Sequence, residues 1–89
     1  MHAIVTVIGK DRVGIIADVC TVLAANGINV LDISQTVMQD YFTMIMLVDT
    51  KLCQRSFGEL SKLLGEKGEE YGISIRIQRD DIFEAMHRI

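Results

Sequence analysis

Apolar spacing in this 89-residue chain switches back and forth between a two-residue and a 3.6-residue period. The order of those switches restricts the fold more than any single motif does. Residues from Ala3 to Ile8 are rich in β-branched side chains and close on Gly9, the pattern of a strand. From Gly14 the repeat lengthens. Ile15, Ile16, Val19, Val22 and Leu23 recur at three- and four-residue steps, which predicts a helix to about Asn26. Gly27 suits the left-handed position that follows a helix, and Asn26 can cap there too. A second strand is expected from Ile28 to about Met38, with a bulge where the adjacent pair Val30 and Leu31 breaks its alternation. Gln39 and Asp40 are the expected turn into a third strand, YFTMIMLVD, so that the two strands form a hairpin.

Helical spacing returns at Phe57, Leu60, Leu63 and Leu64. Ser56 and Glu59 stand as a capping box, and a start nearer Cys53 is equally compatible. Gly58, Gly65 and Gly68 each weaken this helix by roughly 1 kcal/mol against alanine, so its last turns are expected to fray. GISIRIQ then alternates cleanly, with Ile73, Ile75 and Ile77 on one face and Ser74, Arg76 and Gln78 on the other. RDDIFEAMHRI reads as a short terminal helix. Asp80 or Asp81 would cap it, and Ile82, Phe83, Met86 and Ile89 form its apolar stripe.

The resulting order, β-α-β-β-α-β plus a C-terminal helix, predicts the α+β, ferredoxin-like βαββαβ sandwich: a four-stranded antiparallel sheet with two helices on one face. Right-handed crossovers place strands one and three at the centre. No proline and no low-complexity linker interrupts the chain, so one domain over residues 1–89 is expected. A domain this small buries about 60–65% of its unfolded surface and gains from association. Its central strands carry apolar residues on both faces, Ile4 and Ile8 opposite Val5 and Val7, and Ile45 and Leu47 opposite Met44 and Met46. Either the C-terminal helix folds back over the outer face or a second subunit covers part of it.

Composition excludes several functions. A net charge of −3 and a pI near 5.2 are wrong for a phosphate-backbone binder. The first strand also lacks the aromatics of an RNA-binding sheet. Gly9 and Gly14 have the spacing of a phosphate loop, but Ile15 and Ile16 stand where that loop needs lysine and a hydroxyl. His2 and His87 lie at opposite termini, and Cys20 and Cys53 are far apart without ligand spacing, so no metal or cofactor is expected. No nucleophile stands beside a base, which argues against an enzyme. The N-terminus has no cationic segment before its short apolar run, so neither export nor membrane association is expected, and a cytoplasmic protein is the default.

The polar chemistry is concentrated in GKDRVGIIADV, at a strand-to-helix corner. The first amides of a helix lack partners and carry partial positive charge, so they can receive a carboxylate. Asp11 can accept from an ammonium or cap the helix. Arg12 can hold an anion or lie solvated. Gly14 removes a Cβ that would block close approach. Asn26 and Asn29 bring donors and acceptors together, as a zwitterion requires, although Asn26 and Gly27 also read as a plain helix stop.

The stretch TVIGKDRVGIIADVCTVLAANGINVLDISQTV resembles the start of an ACT domain, the small-molecule-sensing module of many amino-acid-metabolic enzymes. The likeness lies in the D-R-x-G-I corner and in NGINVLDISQ. It is similar to the ACT type of the glycine-cleavage-system regulator and of formyltetrahydrofolate deformylases, and the whole length looks like a short, free-standing ACT protein. The resemblance implies a ligand at a homodimer interface, with Asp11, Arg12, Val13, Gly14 and Ile15 on one side and Gly27, Ile28 and Asn29 on the other. Many members have proline where Val13 stands, so this loop is expected to be less rigid. With no catalytic domain attached, any signal passes to a separate protein. The implied function is a regulatory module that senses an amino acid or related metabolite. The alternative is an adaptor that docks on a metabolic enzyme and binds no metabolite.

Overall fold

The computed structural model describes residues 2–79, in the order β1 (His2–Lys10), α1 (Ile15–Ala25), β2 (Asn29–Met38), β3 (Tyr41–Asp49), α2 (Phe57–Tyr71) and β4 (Ser74–Arg79). The helix expected over 80–89 lies outside the described residues. The four strands form one antiparallel sheet in the order β2-β3-β1-β4, so β1 and β3 are central as the crossover rule requires.

Register follows the apolar alternation. Ala3, Val5 and Val7 pair with Val48, Met46 and Met44, and Val5 and Val7 also face Ile77 and Ile75. These residues are all buried and join Ile15, Val19, Val22, Leu23, Leu60 and Leu64 from the helices in one core. The bulge falls where expected. Val30 pairs with Val48 and Asp32 with Leu47, leaving Leu31 as the extra residue. The β2–β3 turn holds Gln39 at φ 56°, a left-handed residue in a two-residue hairpin connection.

Both helices end in the same device. At the end of α1 the Gly27 N–H donates to the Ala24 carbonyl and the Ile28 N–H to Leu23, with Gly27 at φ 72°. At the end of α2 the Gly72 N–H donates to Glu69 and the Ile73 N–H to Gly68, with Gly72 at φ 74°. These are Schellman closures, which require a left-handed residue just past the helix. The capping box at the start of α2 is formed in both directions. The Glu59 N–H donates to Ser56 Oγ at 3.2 Å, and the Ser56 N–H donates to Glu59 Oε1 at 3.0 Å. α2 runs to Tyr71, with Gly68 buried close to the backbone that leads into β4.

Candidate functional site

The strand-to-helix corner is held from three directions. The Asp11 N–H donates to the Asp40 carbonyl at 2.8 Å, which fastens the corner to the β2–β3 turn. Arg12 Nη2 bonds Asp18 Oδ2 at 2.8 Å and reaches the Tyr71 carbonyl at 3.5 Å, while Nη1 donates to the Val13 carbonyl at 3.2 Å. Arg12 therefore brings a cation to the C-terminal end of α2, whose own last turn has no basic residue. Arg12 stays exposed while tying the corner to α1 and α2. Asp11 does not cap α1. The N-cap is Gly14 at φ 87°, with no side-chain cap hydrogen bond among the described residues.

That conformation explains the glycine. A Cβ built on Gly14 would have only Arg12 Nη1 nearby, at 3.9 Å, so the space beside it is open and the left-handed backbone is what favours glycine. The first bond of the helix ladder runs from the Asp18 N–H to the Gly14 carbonyl at 2.9 Å. The N–H groups of Ile15, Ile16 and Ala17 thus have no acceptor within the helix. Val13 is 99% exposed, whereas the Ile15 side chain is buried in the core. Val13 is presented outward, and Ile15 anchors the corner from beneath.

The second group sits elsewhere. Gly27, Ile28 and Asn29 follow the end of α1, and eleven helical residues at 1.5 Å each put about 16 Å between that end and the corner. Within one chain the two halves do not meet. Ile28 is buried and Asn29 exposed. Gly27 differs from Gly14 in a second respect: a Cβ there would lie 2.7 Å from the Leu52 carbonyl oxygen, so backbone fills the space a side chain would need. The Asn26 amide is also engaged. Its Nδ2 donates to the Val22 carbonyl at 2.8 Å, and its Oδ1 accepts from Arg55 Nε at 3.0 Å.

Gly27, Ile28 and Asn29 line a shallow depression of about 510 Å³ with Asp49, Lys51 and Leu52. Asp49 ends β3, Lys51 and Leu52 lie in the β3–α2 connection, and no periodicity or motif in the sequence pointed to them as lining residues. The Lys51 N–H donates to Asp49 Oδ1 at 2.9 Å. That bond, with the nearby charges of His2 and Lys51, holds the Asp49 carboxyl below its ordinary range. A second depression of about 470 Å³ adjoins it, bordered by Asn26, Leu52, Arg55 and Glu59. The depressions offer an amide, carboxylates, cations and an apolar side chain, a mixture suited to a small zwitterion or polar metabolite. Both thiols, Cys20 and Cys53, are free. Among the described residues no helix is long and apolar enough to cross a membrane.

A profile for the ACT domain matches residues 1–78. A UPF0237 protein of Clostridium acetobutylicum is 56% identical over 89 residues, which cover all of both chains. An ACT domain protein from Streptococcus pneumoniae superposes with a TM-score of 0.84 at 42% identity, covering 94% of each chain. A formyltetrahydrofolate deformylase from Pseudomonas syringae pv. tomato shares the fold, with a TM-score of 0.78 at 21% identity over 88% of this chain and 27% of its own. With the profile spanning all four strands and both helices, and a relative of equal length at this identity, the chain belongs to the ACT domain family.

Proposed function

We propose that the protein is a small-molecule-binding regulatory module that senses an amino acid or related metabolite at a homodimer interface. One observation carries this reading: every residue of the edge strand β2 from Leu31 to Met38 is exposed, including Leu31, Ile33, Val37 and Met38. A long apolar edge without proline or lysine invites pairing with another strand. If β2 pairs antiparallel with its own copy about a two-fold axis, its Asn29 end lies beside the partner's Met38 end. The corner is bonded to Asp40 at that second end. The pairing thus carries each chain's Asp11, Arg12, Val13 and Gly14 toward Gly27, Ile28 and Asn29 of the partner subunit. The two halves, about 16 Å apart within a chain, become neighbours between chains. The unpaired amides at the start of α1 would receive a carboxylate, and the oxygens around Asn29 an ammonium.

Calorimetric titration with the twenty amino acids, alongside light scattering for the mass, tests both parts. Binding that vanishes in Gly14→Trp, with the circular dichroism spectrum retained, supports the reading. A dimer that binds no amino acid at millimolar concentration overturns sensing and leaves the adaptor.

A further inference from the structure

The sheet has two edges, and the proposed dimer uses only β2. At the other edge β4 pairs with β1 on one side, and among the described residues no strand lies on its other side. An edge strand turns part of its N–H and C=O groups outward, so β4 can accept a further strand. Burial along it alternates. Ile75 and Ile77 are buried in the core on the helix side, while Ser74, Arg76 and Gln78 are exposed. Ser61, Gly65 and Glu69 of α2 recur four residues apart, all exposed, and form the second wall of a groove of about 570 Å³ beside this strand. A Cβ built on Gly65 would meet nothing within 4 Å, so the middle of that wall is open. The Arg79 guanidinium lies 5.2 Å from the centre of the Phe57 ring and ties the end of β4 to the start of α2.

We propose that this groove docks an extended segment of a partner protein, added to β4 as a further strand, with apolar side chains toward Gly65 and a carboxylate beside Arg76. Charge selects this occupant. β4 carries two arginines and no carboxylate. Among the described residues Arg76 belongs to no ion pair, and its neighbours on the outer face are neutral: Ser74 and Gln78 along the strand and Thr6 across from it. A second copy of β4 would bring like charges alongside, which opposes self-pairing. Glu69 stands on the helix wall and repels an acid on that side, so the carboxylate of the segment belongs on the outer face only. A strand meets both demands because successive side chains point to opposite faces. Main-chain bonds would supply the affinity, and the space at Gly65 and the charge of Arg76 the selectivity. The groove lies at the opposite edge from β2, so this docking is independent of ligand sensing and stays open in a dimer formed through β2.

The test is an NMR titration of the full-length protein with a capped peptide of alternating valine and glutamate, six residues long to match β4. Amide shifts confined to β4 and the Gly65 region, with slowed hydrogen exchange along β4, are expected. The same peptide with lysine in place of glutamate should bind about two- to five-fold more weakly, the worth of one cross-strand charge pair. Arg76→Glu should reverse that order. Gly65→Leu keeps a good helix former and fills the groove, so it should abolish binding while the circular dichroism spectrum is retained. Equal binding by a peptide whose alternate amides are N-methylated overturns the added strand, since that peptide cannot complete the ladder. Shifts at β2 alone, or none at millimolar peptide, overturn the proposal outright. Growth of the free protein beyond a dimer that Arg76→Glu abolishes overturns it in favour of a second copy on this edge.

Discussion

Gly65 and Gly68 lie three residues apart in α2, and the structure assigns them opposite responses to alanine. Gly65 is exposed, and a Cβ there would meet nothing within 4 Å. Gly65→Ala then gains the difference in helix propensity, about 0.8–1.0 kcal/mol. At a typical dependence for a domain this size, that raises the melting temperature by about 4–8 °C. Gly68 is buried under the chain reversal into β4. A Cβ there would stand 2.7 Å from the Ile73 carbonyl oxygen and 3.1 Å from the Ile75 amide nitrogen. Both neighbours are backbone and cannot rotate aside. The Gly68 carbonyl also accepts from the Ile73 N–H at 2.8 Å, so moving β4 away would break the closure of the helix. Overpacking of this kind costs about 1–3 kcal/mol, enough to exceed the same propensity gain. Thermal and urea denaturation at one fixed protein concentration would measure both, since association makes the midpoint depend on concentration. Gly65→Ala should melt above wild type and Gly68→Ala below it. If Gly68→Ala matched Gly65→Ala, the close packing of α2 on β4 would be wrong.

Other outcomes follow from the edge strand, the cap and the corner. Ile33→Lys places a charge on the apolar edge of β2 and should give a monomer by light scattering, with any amino-acid binding lost together with the dimer. The Glu59 carboxyl is held below its ordinary range by the backbone N–H and the hydroxyl of Ser56. A depressed folded value means that this stabilisation is present above the unfolded value near 4.5 and is lost as pH falls through the folded one. Glu59→Gln keeps a capping side chain but cannot titrate, so its melting temperature should fall less between pH 5 and pH 3 than that of wild type. Arg12 and Asp18 form an exposed pair, so Asp18→Asn should change stability by no more than about 1 kcal/mol in chemical denaturation. Gly27→Ala combines a left-handed backbone with a contact on the Leu52 carbonyl and should lower the melting temperature more than Gly14→Ala, which meets only the backbone penalty.

Local chemistry was readable from the residues wherever one segment decides the outcome. Val30 and Leu31 announced the bulge because two adjacent apolar residues cannot both face the core of a regular strand. Ser56 and Glu59 announced the capping box because their spacing alone closes it. The same local reading gave Gly27 a left-handed backbone and Gly14 only a missing Cβ; both prove left-handed, and packing separates them, with open space beside Gly14 and the Leu52 backbone beside Gly27. Arg12 was ambiguous because its partners Asp18 and Tyr71 lie on two different helices. Asp49, Lys51 and Leu52 were not recognised as lining residues, since neither a strand end nor a connection without periodicity gives a sign of which helix end it will border. The separation of the two candidate halves follows from the length of α1, which sequence reading supplied without the direction in which each end faces.

The Leu52 main chain occupies the space where a Cβ on Gly27 would stand, so no side chain separates the α1–β2 bend from the β3–α2 connection there. The α1–β2 bend and the β3–α2 connection therefore have little room to close on each other without moving together. Leu52, three-quarters exposed, rides on that connection as a pointer on the outside of the molecule.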